Sequence, residues 1–131
     1  MATVSLRFQP VPEHVRTARL VAVATARRAG LDEARLDEVR LAAGEVCARA
    51  VRRSQRAGSS QRLLVELDDG GTGFSVQVTD HAEAVDLEEE SFALALVRGL
   101  ADVVTVLDGP AGPGGVVCLT WHSRTSSPGG R

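Results

Sequence analysis

The chain has 131 residues, the length of one domain and enough to bury one sizeable core. Hydrophobic residues make up 44% and charged residues 24%, with a net charge of -2, an ordinary globular balance. All 15 basic residues are Arg and aromatics are only 3%, which argues against a nucleic-acid surface, and the lack of any Lys excludes a P-loop. No apolar run approaches the ~20 residues of a membrane span. The opening MATVSLRFQP lacks a basic segment followed by an apolar one, so no secretion signal is expected. Cys47 and Cys118 sit in apolar surroundings without metal-ligand spacing and are expected to be buried free thiols of a cytoplasmic protein.

Residues 2–8 alternate, with Val4, Leu6 and Phe8 on one side, and predict a half-buried strand. Pro10 and Pro12 stop it, and Pro12 suits the first turn of a helix, where its missing N–H costs nothing. That helix is expected to run to about Arg28 and to end at Gly30. Val15, Ala18, Ala22 and Ala26 form its apolar stripe, with Leu20, Val21 and Val23 off it. Asp32 is placed to cap a longer helix in which Leu36, Val39, Ala43, Val46 and Ala50 recur at helical spacing. Arg49, Arg52, Arg53 and Arg56 put cations near its negative C-terminal end, and Gly58-Ser59-Ser60 ends it.

Strands are expected over 62–68 and 73–79, joined by Asp69-Gly70-Gly71-Thr72, a hairpin signal. Residues 81–90 carry the carboxylates of Glu83, Asp86, Glu88, Glu89 and Glu90. They read as a solvated loop, or alternatively as a docking face for an Arg-rich partner. A short helix over 91–100 follows, then strands over 103–108 and 116–122 separated by the Gly- and Pro-rich stretch 109–115. The tail 123–131 is rich in Ser, Gly and Pro and is expected to be disordered.

The order β-α-α-β-β-α-β-β predicts an α+β fold. The expected architecture is a two-layer sandwich, a mostly antiparallel (mixed) sheet with helices on one face, forming a single domain over residues 1–122.

Two stretches carry a family resemblance: Val39–Ser54 (VRLAAGEVCARAVRRS) and Phe92–Val106 (FALALVRGLADVVTV). With the element order and an Asp closing the third strand, they resemble the anti-sigma-factor serine kinases. These are small members of the superfamily that holds gyrase, heat-shock chaperone, histidine kinase and mismatch-repair ATPases. The resemblance runs from about residue 4 to 122. It implies the histidine-kinase-like (Bergerat-type) ATPase fold, binding of Mg-ATP between the sheet and a lid, phosphorylation of a Ser on a small antagonist protein, and capture of a sigma factor. It further implies a homodimer formed through a sheet edge, for which residues 2–8 are the candidate strand.

Carried over residue by residue, Glu45 matches the general-base Glu and Asp80 the Asp that reads the adenine amino group. Arg49 stands where the family has its Mg²⁺-binding Asn. A guanidinium has no acceptor and repels a cation, and the chain has no Asn at all. After the Asp, the family's Asp-x-Gly-x-Gly is here Asp80-His81-Ala82-Glu83-Ala84, and its later Gly-rich box is Glu90-Ser91-Phe92-Ala93-Leu94. Without those glycines the backbone is less free to approach phosphates, and the acidic run opposes a triphosphate.

The resemblance therefore suggests a regulatory protein of the anti-sigma type with a degenerate ATP site, acting by binding a sigma factor or an anti-anti-sigma-type protein. No cofactor is expected in that case; ATP and Mg²⁺ would be the cofactors if the site still functions. The alternative is an active ATP-dependent serine kinase. Simpler explanations exist for the same residues: an i,i+4 ion pair of Glu45 with Arg49, and Asp80 capping the turn that follows it. His81 and His122 are isolated, His14 is expected to be exposed, and no metal site is expected.

Overall fold

The computed structural model describes residues 2–123 and contains strand β1 (Ala2–Phe8), helices α1 (Glu13–Arg28) and α2 (Glu33–Arg56), strands β2 (Leu63–Asp69) and β3 (Gly73–Thr79), helix α3 (Glu88–Arg98), and strands β4 (Val103–Leu107) and β5 (Val116–His122). The strands form one sheet in the order β1-β2-β3-β5-β4, and every pairing is antiparallel. No parallel pair arises among them because β5 is inserted between β3 and β4, which run the same way. The tail expected to be disordered lies, from residue 124 on, outside the described residues.

Strand alternation decides which side of the sheet is covered. Leu63, Val65 and Leu67 of β2, Phe74, Val76 and Val78 of β3, and Val117, Leu119 and Trp121 of β5 are buried in one core with the helices. The helices meet that face with the expected stripes: Ala18, Ala22 and Ala26 from α1, and Leu36, Val39, Ala43, Val46 and Ala50 from α2. Small side chains dominate the α1 stripe, so the helix lies close to its neighbours. Leu20, off the stripe, is exposed. Trp121 is completely buried beside Phe74, and its indole N–H donates to the Leu100 carbonyl at 3.1 Å.

Element ends follow local chemistry. The Asp32 carboxylate accepts the Arg35 N–H at 3.0 Å, the expected cap of α2, and Gly58 at φ +69° lies just past its end. Arg35 also reaches across to Asp102 at 2.6 Å, tying the start of α2 to the turn before β4. Helix α3 starts at Glu88 rather than at residue 91, and so absorbs the end of the stretch read as a loop. The cause is Glu90, whose carboxylate turns back to accept the Leu87 N–H at 2.8 Å. Glu88 and Glu89 then stand favourably in the first turn, at the positive end of the helix dipole.

Candidate functional site: a double arginine clasp

Asp80 follows β3 directly, and alternation turns its side chain toward the helices, where it is 1% exposed. Its backbone N–H donates to the Gly115 carbonyl at 2.7 Å, so the stretch 109–115 between β4 and β5 closes over this strand end. That closure needs glycine at two places. A Cβ on Gly109 would lie 2.7 Å from the Gly115 Cα, and one on Gly115 would lie 2.8 Å from the Gly109 Cα.

Two arginines one turn apart on α2 fill the space beneath. Arg53 donates from Nε to Asp80 Oδ2 at 2.9 Å, from Nη1 to Asp86 Oδ1 at 2.7 Å and the Ala84 carbonyl at 3.0 Å, and from Nη2 to the Pro113 carbonyl at 3.0 Å. Arg49 grips Asp86 with Nε at 3.1 Å and Nη2 at 3.0 Å, and its Nη2 also donates to the Gly114 carbonyl at 2.9 Å. Both arginines are 1% exposed. The cluster is electrically balanced, two guanidinium groups against two carboxylates, which is the condition for burying charge at all. Each arginine links three chain segments: helix α2, the β3–α3 loop and the β4–β5 loop.

Burial and the neighbouring positive charge of Arg53 push the Arg49 guanidinium below its ordinary value, and Asp86 offsets this only in part. For Arg53 burial acts the same way, but the hydrogen bonds and charges of Asp80 and Asp86 outweigh it and raise the group. The next pair along α2 repeats the arrangement. Arg56 Nη2 donates to the buried Glu90 carboxylate, and Arg52 Nε lies 3.6 Å from it.

The acidic stretch is therefore not simply a solvated loop. Asp86 and Glu90 point inward and are consumed by α2, while Glu83, Glu88 and Glu89 are exposed. Of the acidic run read as a possible docking face, Asp86 and Glu90 are taken by arginines of the chain's own helix. The i,i+4 pair of Glu45 with Arg49 does not form either. Arg49 turns to Asp86, which offers a bidentate acceptor in a buried setting. Glu45, half-buried, has no hydrogen-bond or ion-pair partner among the described residues. Asp80 does cap the following turn: its Oδ1 accepts the Ala82 N–H at 3.0 Å.

Sequence reasoning brought Arg49 and Asp80 forward but missed Arg53 and Asp86, the groups that join them, and Glu90, which holds Arg56. A signal was present. Arg49 and Arg53, like Arg52 and Arg56, are four residues apart on one helix, and the acidic run supplies the opposite charge. Cys118 also departs from expectation. It lies on the uncovered sheet face, half-buried, with its thiol donating to Gln77 Oε1 at 3.2 Å, whereas Cys47 is fully buried in the core. His14 is exposed, edge-on to Phe8. No helix among the described residues is long and apolar enough to cross a membrane.

A divalent cation takes oxygen ligands, and Arg49 presents none on the turn after Glu45. Asp80 could still accept from a further donor, but both of its oxygens are already engaged within the chain.

Comparison with known proteins agrees with this fold. No curated protein sequence matches the chain. Among solved structures, the RsbU and RsbW domains of Rv1364c from Mycobacterium tuberculosis superpose with a TM-score of 0.72 at 18% identity, over 93% of this chain and 32% of that one. The family model of the histidine kinase-like ATPase domain matches residues 8–121. The chain accordingly belongs to the histidine kinase-like ATPase domain family.

Proposed function

We propose that the chain is a cytoplasmic regulator of the anti-sigma-factor type that acts by binding a protein partner, with an ATP site that no longer works. The partner class is a sigma factor or an anti-anti-sigma-type protein, and the regulator is a homodimer joined through the β1 edge, which has no proline and one charge, Arg7. The observation that carries the reading is the double clasp. Where the resemblance places a Mg²⁺ ligand, Arg49 is locked onto Asp86, and where it places the adenine-reading carboxylate, Asp80 is locked onto Arg53.

Two consequences support inactivity. The guanidinium groups that could attract a triphosphate already have carboxylate partners, so phosphate would have to displace a buried, bidentate pair. The loop that would open as a lid is held to α2 through Asp86 and to the β4–β5 stretch through the same arginines. A protein-binding function needs none of these groups to be free.

One observation favours the kinase alternative: Glu45, at the general-base position, is half-exposed and has no partner among the described residues. The two readings separate in one experiment. The purified chain is mixed with the sigma factors and anti-sigma antagonists of its own cell in nucleotide-free buffer, and complexes are resolved by size exclusion; labelled Mg-ATP is then added. A stable complex without nucleotide and no label on a Ser supports the proposal. Ser phosphorylation that disappears in Glu45→Ala and survives in Arg49→Ala overturns it in favour of the kinase.

A further inference from the structure

The residues on either side of Asp80 face away from the clasp. Thr79 and His81 line a groove of about 610 Å³ together with Arg7, Gln9, Arg62 and Leu64, closed at the sides by the residues before β2 and by Pro110. The groove lies on the sheet face that the helices leave uncovered. Leu64, Glu66 and Asp68 of β2 alternate with the buried Leu63, Val65 and Leu67, and Arg7 stands directly across from Leu64. The nucleotide-site residues discussed above do not use this face, although Arg7 also belongs to the β1 edge.

Its chemistry is one-sided. No carboxylate lines it. Among the described residues Arg7 and Arg62 make no ion pair, in contrast to Arg49 and Arg53 on the other side of the same strand end. The nearest carboxylate along the face, Glu66, accepts from the Gln77 amide at 3.2 Å and has no ion-pair contact with Arg7. Register sets how the cations stand. Leu64 is paired with Arg7 on one side and Thr79 on the other, and Arg62 precedes it by two residues, on the same face. Arg62 lies just before β2 and Arg7 stands opposite Leu64, so both cations border the same groove.

We propose that this groove binds a small organic phosphate. Two forks, the Gln9 and Gln61 amides, the Ser60 and Thr79 hydroxyls and the His81 ring offer donors from several directions. A phosphate dianion matches the charge of the two forks and offers three acceptor oxygens to such an array, whereas a carboxylate brings one charge and two oxygens. Leu64 and Pro110 provide apolar wall for the organic part, and the volume falls in the range of small-molecule sites, far more than a bare anion needs. The site is separate from the degenerate nucleotide site, being on the opposite face of the sheet, and its test does not depend on the regulatory reading.

The test is a titration of the full chain with glycerol 3-phosphate, followed by amide NMR, with inorganic phosphate, acetate and glycerol as comparison probes. The expected result is saturable shifts confined to Arg7, Gln9, Ser60, Gln61, Arg62, Thr79 and His81, including the Gln side-chain amides. Glycerol 3-phosphate should bind more tightly than inorganic phosphate, and acetate and glycerol at least tenfold more weakly. Arg7→Gln with Arg62→Gln should weaken the glycerol 3-phosphate affinity at least tenfold. The control pair Arg16→Gln with Arg98→Gln, both exposed on helices, should leave it unchanged. Shifts that never saturate, that spread over the exposed arginines, or that survive the Arg7/Arg62 double substitution would overturn the proposal, as would acetate binding equal to that of the phosphate.

Discussion

Removing Arg53 should be among the most damaging single changes available outside the apolar core. Arg53→Met keeps most of the buried aliphatic volume but deletes four hydrogen bonds, two of them to carboxylates. It leaves Asp80, 1% exposed, with only the Ala82 N–H, and strips one of the two arginines from Asp86. Breaking one side of a buried pair costs about 3–5 kcal/mol, because the remaining charge stays out of water. Against a total stability of ~5–15 kcal/mol that is a large fraction. For a chain of this length it corresponds to a fall in Tm of roughly 10–20 °C, and to a drop of about 2 M in the urea midpoint. Urea unfolding followed by Trp121 fluorescence reads it directly, since that indole is fully buried. The double variant Arg53→Met, Asp80→Asn should be more stable than the single one by about 1–2 kcal/mol, because it no longer buries an unpaired carboxylate. A single variant within about 1 kcal/mol of the parent, or a double variant less stable than the single, would refute the clasp as a buried, charge-balanced unit.

Other consequences follow from particular contacts. Glu90→Ala removes the acceptor of the Leu87 N–H and of Arg56, so α3 should fray at its start and stability should fall by about 1–3 kcal/mol, visible as lost amide-exchange protection at residues 88–91. At Asp102, burial opposes the charge, but the His122 N–H and Arg35 outweigh it and hold the carboxyl below its ordinary value of 3.8. A carboxyl with a depressed native pKa stabilises the fold above its unfolded value and loses that contribution as pH falls through the native one. Asp102→Asn should therefore cost stability at pH 7 and progressively less below about pH 4, with urea midpoints of parent and variant converging in acid. Burial pushes the Cys47 thiol up to about 12, so it should resist iodoacetamide at pH 8 until the chain unfolds. Cys118 is also raised, by burial and then by Glu66, but it is only half-buried and should react first in the native protein.

Most of the fold could be read in advance, for identifiable reasons. β1, β3 and β5 alternate cleanly, Asp32 and Gly58 bracket α2, and Gly70-Gly71 marks the hairpin, so each local signal agrees with the packing that follows. The start of α3 was less legible. Residues 81–90 look like a loop because their charge is high, and the partners that neutralise Asp86 and Glu90 lie some 35 positions away on α2 (34 from Arg56 to Glu90 and 37 from Arg49 to Asp86). Periodicity reports a helix's apolar face but says nothing about which distant charge will meet its polar one. The same limit applied to Arg53. Arg49 could be singled out because the resemblance assigns a role to its position, whereas Arg53 was only one of four cations at a helix end. The groove on the uncovered face was equally hidden, since it needs the register of three strands to bring Arg7, Arg62 and Thr79 together.

If α2's arginines have taken over the nucleotide site, the full chain should melt at the same temperature with and without 1 mM Mg-ATP. A working site with a Kd near 10 µM would add about 2.7 kcal/mol at that concentration, a rise in Tm of roughly 10 °C for a domain of this size. No rise is expected, because Arg49 and Arg53 remain committed to Asp86 and Asp80. A clear rise that is lost in Glu45→Ala or Asp80→Ala would contradict it and make the chain an ATP-binding member of its family.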